Sequence, residues 1–223
     1  MIKNILNLGD AALYCDFGNQ VNKEVNSLVI NYFKNIKNSK ISGITNIAPS
    51  YNKIIITFDL NITNYHKIEE QLKKIEVNKH LKENNEIIEI PVCCEEEFTL
   101  DVNRLETRLK LPFGKILEIF FSTEYFCYMT GFIAGMPFLG DIDNKLRTGR
   151  LETPRVRVPE GSVGITEQFA NIYTFESPGG WNIIGNSPIK IFDKYNNKKP
   201  SLINPGDSVK FYKITKKEFN KWK

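Results

Sequence analysis

The sequence predicts an α+β protein in two parts, a small mixed unit over residues 1–92 followed by a β-barrel over residues 93–223. Three observations carry this expectation. Up to Val92 the spacing of apolar residues switches between two and three-to-four in the order β-α-β-β-α-β, the signature of a ferredoxin-like split unit. From Cys93 onward short apolar runs are parted by Gly and Pro, as a closed or nearly closed barrel requires. Finally, Gly131 to Pro188 hold nine of the 14 glycines, five of the ten prolines and four of the six arginines, but one of the 24 lysines.

In the first part, Ile5 to Phe17 alternate as a strand interrupted by Gly9-Asp10. Val25, Leu28, Val29, Tyr32, Phe33 and Ile36 then fall at three- and four-residue intervals, one face of an amphipathic helix. After the turn at Ser42-Gly43 come two runs of β character, Ile44 to Ala48 and Asn52 to Phe58. Tyr65, Ile68, Leu72 and Ile75 space a second helix, and Glu86 to Val92 read as the fourth strand of this unit. In the second part, two helical patterns at Val102–Leu109 and Lys115–Phe121 precede the barrel runs. These are Phe126–Met129, Arg155–Val158, Ser162–Ile165, Ile172–Phe175, Trp181–Ile184, Ile189–Phe192 and Val209–Ile214. Asn204-Pro205-Gly206-Asp207 makes a turn before the last of them.

A chain of 223 residues, 41% hydrophobic and 25% charged, can bury a full core. Its net charge of +4 comes from lysines scattered along the chain rather than from a basic stripe interleaved with aromatics, which argues against nucleic acid as a partner. Cys15, Cys93, Cys94 and Cys127 lack metal-clip spacing, so reduced thiols and no metal centre are expected. No run of 18 apolar residues suggests a membrane span, and a cytoplasmic protein is expected. Both histidines, His66 and His80, lie in a lysine-rich stretch far in sequence from the Gly/Pro/Arg region, which disfavours a Ser-His-Asp or Cys-His nucleophile.

Three clusters carry candidate chemistry. Gly131-Phe132-Ile133-Ala134-Gly135-Met136-Pro137-Phe138 reads either as backbone exposed on an apolar pocket wall or as a barrel loop packed under aromatics. Arg150, Arg155 and Arg157 offer forked donors; in an extended segment Arg155 and Arg157 share a face and can clamp a phosphate or carboxylate, or they pair with Glu152 and Glu160 at the surface. Ser177-Pro178-Gly179-Gly180-Trp181 forms either a turn whose N–H groups hold an anion or a tight hairpin with a core tryptophan. Neither G-x-x-x-x-G-K nor G-x-G-x-x-G occurs, so nucleotide contact must use another geometry.

The ordered segments GFIAGMPFLG, TPRVRVPEGSVGI and SPGGWNIIGNSP resemble the hallmark of the family of the 5-oxoprolinase B-type subunit, also called allophanate hydrolase subunit 1 or Kip-type inhibitors of a sporulation histidine kinase. Gly9-Asp10-Ala11-Ala12-Leu13, Phe17-Gly18 and Ile90-Pro91-Val92 extend the resemblance to the whole chain. It implies an N-terminal α+β domain and a C-terminal cyclophilin-like β-barrel. The implied partners are the C-type subunit of 5-oxoprolinase, equivalent to allophanate hydrolase subunit 2, and the A-type subunit. The implied activity, in that complex, is ATP-dependent opening of the 5-oxo-L-proline lactam to L-glutamate, with ATP as co-substrate together with Mg.

By motif position, Arg155 and Arg150 would be the anion-binding catalytic arginines. Gly131, Phe132, Gly135, Pro137, Arg157, Gly161, Ser162, Gly164, Ser177, Gly179, Gly180 and Trp181 would line the site for substrate or nucleotide. Pro154, Pro159, Pro178 and Gly185 match the pattern as well. The chain departs from it at Cys94-Glu95-Glu96 for Y-G-G, at Ile119-Phe120-Phe121 for Leu-His-Ser, at Gly149-Arg150-Leu151 for Pro-Arg-Arg and at Phe169-Ala170-Asn171 for Gln-Thr-Gly. Two alternatives to a role in such a complex are a regulator that binds and inhibits a histidine kinase, and a diverged non-catalytic member.

Overall fold

In the first part of the chain, the expected alternation becomes a four-stranded antiparallel sheet with two helices packed on one face. The computed structural model describes residues 2–75 and 86–222, so His80 lies outside the described residues. Two compact units emerge, Met1–Asn84 and Asn85–Lys223.

In the first unit the strands are β1 (Asn4–Asn7), β2 (Ala12–Asp16), β3 (Ile44–Pro49) and β4 (Lys53–Phe58), with helices α1 (Lys23–Ser39) and α2 (Tyr65–Lys73). Each helix starts at an Asn whose side chain accepts from the third residue on, Asn22 from Val25 and Asn64 from Lys67, satisfying a backbone donor the helix cannot. The period-2 face of β4, Ile54, Ile56 and Phe58, is buried against Val29, Tyr32 and Ile36 of α1 and Ile68 and Leu72 of α2. Sheet order is β1-β2-β4-β3, so β4 lies between β2 and β3, which α1 connects. This is the split β-α-β arrangement the sequence predicts.

The fourth strand position, however, is held by β1 and not by residues 86–92. That segment belongs to β5 (Ile87–Cys93), which pairs in parallel with the last strand of the chain along its whole length, from Ser208↔Ile87 to Ile214↔Cys93. The expected boundary at 92/93 thus moves to 84/85. Both sheets can take an apolar strand, and the local sequence of Ile87–Val92 is silent about which one.

In the second unit, α3 (Val102–Leu109) and α4 (Phe113–Ser122) follow β5. Then come β6 (Glu124–Thr130), β7 (Pro137–Gly140), β8 (Arg155–Val158), β9 (Ser162–Thr166), β10 (Phe169–Ile172), β11 (Ser177–Gly179), β12 (Asn182–Asn186), β13 (Ser208–Ile214) and a short α5 (Lys216–Phe219). Seven of these strands close a barrel in the order β10-β7-β6-β13-β5-β12-β9, while β8 and β11 pair with each other as a separate two-stranded ribbon. One buried cluster contains Val92, Cys127, Leu139, Val163, Ile165, Ala170, Ile172, Ile184, Val209 and Phe211 from the strands and Leu105, Ile116, Leu117 and Phe120 from the helices. Phe120 stacks on Phe211 at 4.8 Å between ring centroids.

Two strand expectations shift. Ile172–Phe175 is displaced to Phe169–Ile172, and Ile189–Phe192 contributes only a single bridge, Phe192 to Ser201. Because strand residues alternate sides, the neighbours of the core residues on β7, β9, β10 and β12 line a second face. That face carries Phe138, Phe169, Asn171, Gly164 and Ile183 and is buried as well. Period-2 patterning is therefore absent from β9, β10 and β12, whose residues are all buried.

Candidate functional site

The arginines converge on the start of α3. Asp101 occupies the N-cap position, yet its carboxylate makes no bond to the helix. One oxygen accepts from Nη2 of Arg155 at 2.7 Å, and the other accepts from the backbone N–H of Ile183 at 2.7 Å. The Asp101 side chain is 5% exposed and that of Arg155 27%. The guanidinium is thus anchored through Nη2 to a buried carboxylate, while Nη1 is buried without a hydrogen-bond partner among the described residues. Residues three and seven further along the same helix face pin the following loop: Arg104 donates to Asn182 Oδ1 (2.9 Å) and to the carbonyl of Arg150 (2.9 Å), and Arg108 pairs with Glu152 at 3.2 Å. The Arg150 side chain itself is exposed and has no ion-pair partner among the described residues.

Arg155 and Arg157 do not share a face. β8 runs half-buried, exposed, exposed, buried, and its register against β11 slips between the pairs Val158↔Ser177 and Arg155↔Gly179. Three residue steps on β8 match two on β11, as in a β-bulge, which breaks the alternation assumed from sequence. Arg155 and Val158 consequently turn inward. Val156 (82% exposed) and Arg157 (79%) turn outward, the latter onto Glu176 at 3.0 Å. The two-arginine clamp is corrected to a single inward guanidinium, with Arg157 a surface ion pair.

Ser177 to Trp181 form no isolated anion turn. Ser177–Gly179 is β11, and Trp181 is buried with its ring edge-on to Phe138 at 5.6 Å, the core-tryptophan alternative. Gly179 lies so close to Tyr173 that a Cβ there would overlap the hydroxyl. Gly180 accepts from the Leu151 N–H at 2.7 Å, tying the ribbon to the arginine loop. Burial pushes the Tyr173 hydroxyl up; hydrogen bonds from the Asn171 side chain and the Trp181 backbone, then the positive charges of Arg150 and Arg155, oppose that rise. Tyr173, Asn171 and Trp181 therefore share one neighbourhood, near enough to Arg150 and Arg155 to feel their charge. Gly164 belongs to it too: a Cβ there would come within 2.9 Å of Asn171 Oδ1 and 3.0 Å of Trp181 Cβ.

Other expected residues serve the backbone. Gly131 donates to the carbonyl of Met136 (3.0 Å) and Gly135 takes a φ of +70° beside Phe192, closing the loop that leads into Pro137 at the start of β7. Phe132, also with a φ of +70°, projects from that loop and is 68% exposed. Gly161 (φ +80°) donates to the carbonyl of Tyr173, and Ser162 is buried at the start of β9. Gly161 lines a surface cleft of ≈ 410 Å³ with Phe98, Glu160, Ser187 and Lys190, and Arg155 is not among the lining residues. The glycine amides of Gly131 and Gly161 are thus committed to carbonyls, not presented to an anion. His66 stands exposed on α2. Asp101, Arg104 and Asn182 escape a reading of the sequence because an Asp before a helix reads as a cap and helical arginines read as surface charge.

Known proteins share this architecture. Residues 3–203 match the model of the carboxyltransferase domain, subdomain C and D. The 5-oxoprolinase B-type subunit of Bacillus subtilis is 31% identical over 97% of this chain and 95% of its own length. That of Haemophilus influenzae is 42% identical over 56% of this chain and 58% of its own. Among solved structures, TTHA0988 superimposes with a TM-score of 0.82 at 27% identity, covering 92% of this chain and 40% of that one. The Kluyveromyces lactis urea amidolyase, at 20% identity and a TM-score of 0.79, shares the fold, this chain spanning 15% of it. No helix among the described residues is long and apolar enough to cross a membrane. With the family model matched over most of the chain and a full-length relative above 30% identity, this chain belongs to the family of the 5-oxoprolinase B-type subunit.

Proposed function

We propose that the chain is a non-autonomous subunit of an ATP-dependent complex that opens the 5-oxo-L-proline lactam to L-glutamate, with Arg155 binding the substrate carboxylate. The observation that carries this reading is the state of Arg155. Asp101 fixes its orientation through Nη2, while Nη1 is buried without a hydrogen-bond partner among the described residues and the side chain as a whole is partly exposed. A preset fork with a spare donor suits a carboxylate, which accepts two bonds in one plane. Arg150 adds a second positive charge on the same neighbourhood. Likeness over nearly the full length of the Bacillus subtilis 5-oxoprolinase protein supports the same assignment.

A five-membered lactam resists water, so its opening requires activation. ATP, when bound in the complex, would supply the phosphoryl group that activates the amide oxygen, with ADP released; overall, water would add at the carbonyl carbon, the ring C–N bond would break and phosphate would leave. The amides of Gly131 and Gly161 are used by the barrel and Arg157 is paired at the surface, so these three positions offer a nucleotide no free donor. Among the described residues no group of three His, Cys, Asp or Glu converges on a site for Mg. The role derived for this chain is that Arg155 binds and orients the acid. Partner proteins of the A and C types complete the proposed complex.

The test is glutamate release from 5-oxoproline and ATP by the chain mixed with both partners. Arg155→Ala is expected to lower kcat/KM roughly 10- to 100-fold, the value of one or two charge-assisted hydrogen bonds. Arg155→Lys, which keeps a cation for Asp101 but loses the fork, controls for folding. Activity in Arg155→Ala equal to the parent sinks the carboxylate role.

A further inference from the structure

Buried polar atoms in folded proteins almost always have hydrogen-bond partners, because stranding one costs about 1–3 kcal/mol. In the barrel unit three such side-chain atoms have none among the described residues: Nη1 of Arg155, Oδ1 of Asn171 and Oγ of Ser177. They are not scattered. Arg155 and Ser177 both belong to the ribbon, and Arg155 pairs with Gly179, two residues along β11 from Ser177. Gly179 abuts the Tyr173 hydroxyl, and Asn171 stands two residues before Tyr173, opposite Gly164 in the β9–β10 ladder. Asn171 is fully buried; its side chain reaches the Tyr173 hydroxyl and, through Nδ2, the Met136 sulfur at 3.9 Å, while the oxygen has no partner among the described residues. A nearby asparagine shows the contrast. Asn182, equally buried, spends both arms, donating to the carbonyls of Gly149 and Ile165 at 3.0 Å each and accepting from Arg104.

We propose that the wall beneath the β8–β11 ribbon is an amide-recognition subsite beside the Arg155 anion site, with Asn171 and Ser177 as its specificity-determining residues. The stranded atoms define the ligand chemistry. Asn171 Oδ1 calls for an N–H donor, Arg155 Nη1 for an acceptor, and Ser177 Oγ takes either role. A planar amide N–H set beside an anionic or carbonyl oxygen satisfies all three; a simple carboxylate has no donor and leaves Asn171 Oδ1 stranded. The ribbon is the movable cover of this wall, tethered at the Arg155 end and free of the barrel ladder elsewhere. Its two strands hydrogen-bond to each other and not into the barrel ladder, while the Arg155–Asp101 pair and the Leu151 to Gly180 bond fasten it down. The inference rests on the carboxylate reading of Arg155 and adds the residues that distinguish a lactam acid from any other small acid.

The experiment measures binding of two probes to the full chain by calorimetry: 5-oxoproline, and cyclopentanecarboxylate, which keeps ring and carboxylate but has no amide. The parent is expected to prefer 5-oxoproline about tenfold or more, the value of a hydrogen bond or two. Ser177→Ala and Asn171→Leu are expected to bring that preference close to one while leaving cyclopentanecarboxylate affinity intact. Ser177→Ala is further expected to melt no lower than the parent, since the deleted hydroxyl has no partner. A residue with a purely structural role would lower the melting temperature and leave the preference alone. If Asn171→Leu does not fold, Ser177→Ala alone decides. An unchanged preference in the folded variants overturns the subsite. A parent that binds both acids equally through Arg155 overturns the subsite and spares the carboxylate reading, and a parent that binds neither overturns both.

Discussion

Removing the Asp101 carboxylate tests how the site is held together. In Asp101→Ala two donors lose their acceptor at once: the Arg155 guanidinium and the buried N–H of Ile183. Breaking a buried pair from one side costs about 3–5 kcal/mol, and a stranded amide about 1–3 kcal/mol. Arg155 is 27% exposed, so water recovers part of the first cost and the two losses together come to about 3–5 kcal/mol. At roughly 2–4 °C per kcal/mol for a protein of this size, the barrel transition should fall by roughly 6–20 °C. Asp101→Asn keeps one acceptor and the volume, and should lose about half as much. Adding Arg155→Ala to Asp101→Ala should cost little more, because the stranded cation goes with it. The assay is urea unfolding followed by circular dichroism, with the midpoint and slope of the barrel transition read separately. A loss under about 1 kcal/mol in Asp101→Ala would refute the argument that this carboxylate is the anchor of Arg155.

Two other outcomes follow from packing and burial. Gly179→Ala places a methyl group into the Tyr173 hydroxyl, which cannot yield because the ring is 1% exposed; an overpacking cost of about 1–3 kcal/mol is expected, and Tyr173→Phe in the same chain should recover part of it in a denaturation series. Burial pushes the thiols of Cys15 and Cys94 up to about 12 and raises Cys93 and Cys127 as well. At pH 8 thiolate in Cys15 and Cys94 should be roughly a thousandfold scarcer than in a free cysteine, so iodoacetamide should label the native chain slowly and the urea-unfolded chain at all four positions, as counted by mass spectrometry.

Local pattern is enough for much of the architecture. The helix from Lys23, the strand from Lys53 and the helices after Val102 and Phe113 repeat the apolar spacing that the letters show. What local pattern lacks is partnership. Ile87–Cys93 reads as a strand under either domain assignment, and only pairing with Ser208–Ile214 decides between them. The site is hidden in a similar way. Alternation puts Arg155 and Arg157 side by side, but one extra residue in β8 undoes parity, and a bulge leaves no mark in R-V-R-V. Glycine enrichment does mark a crowded region, though several of its glycines admit neighbouring side chains, Tyr128 at Gly140, Trp181 at Gly164 and Tyr173 at Gly179, rather than a ligand. Asp101 carries no signal at all, since its partner lies 54 residues away.

The parallel seam between β5 and β13 also constrains the order in which this molecule can be made. These strands open and close the barrel sequence, with more than 100 residues between them, and such a loop carries an entropic cost of about 3 kcal/mol beyond that of adjacent strands. A ribosome delivers the N-terminal unit whole before the seam can form, and the nascent barrel waits as an unclosed sheet with the flanks of β5 and β6 bare until Ser208–Ile214 emerges. Any chain ended upstream of Ser208 would keep those flanks permanently, and bare strand flanks recruit other chains. The last strand is thus what separates a self-contained barrel from an adhesive one.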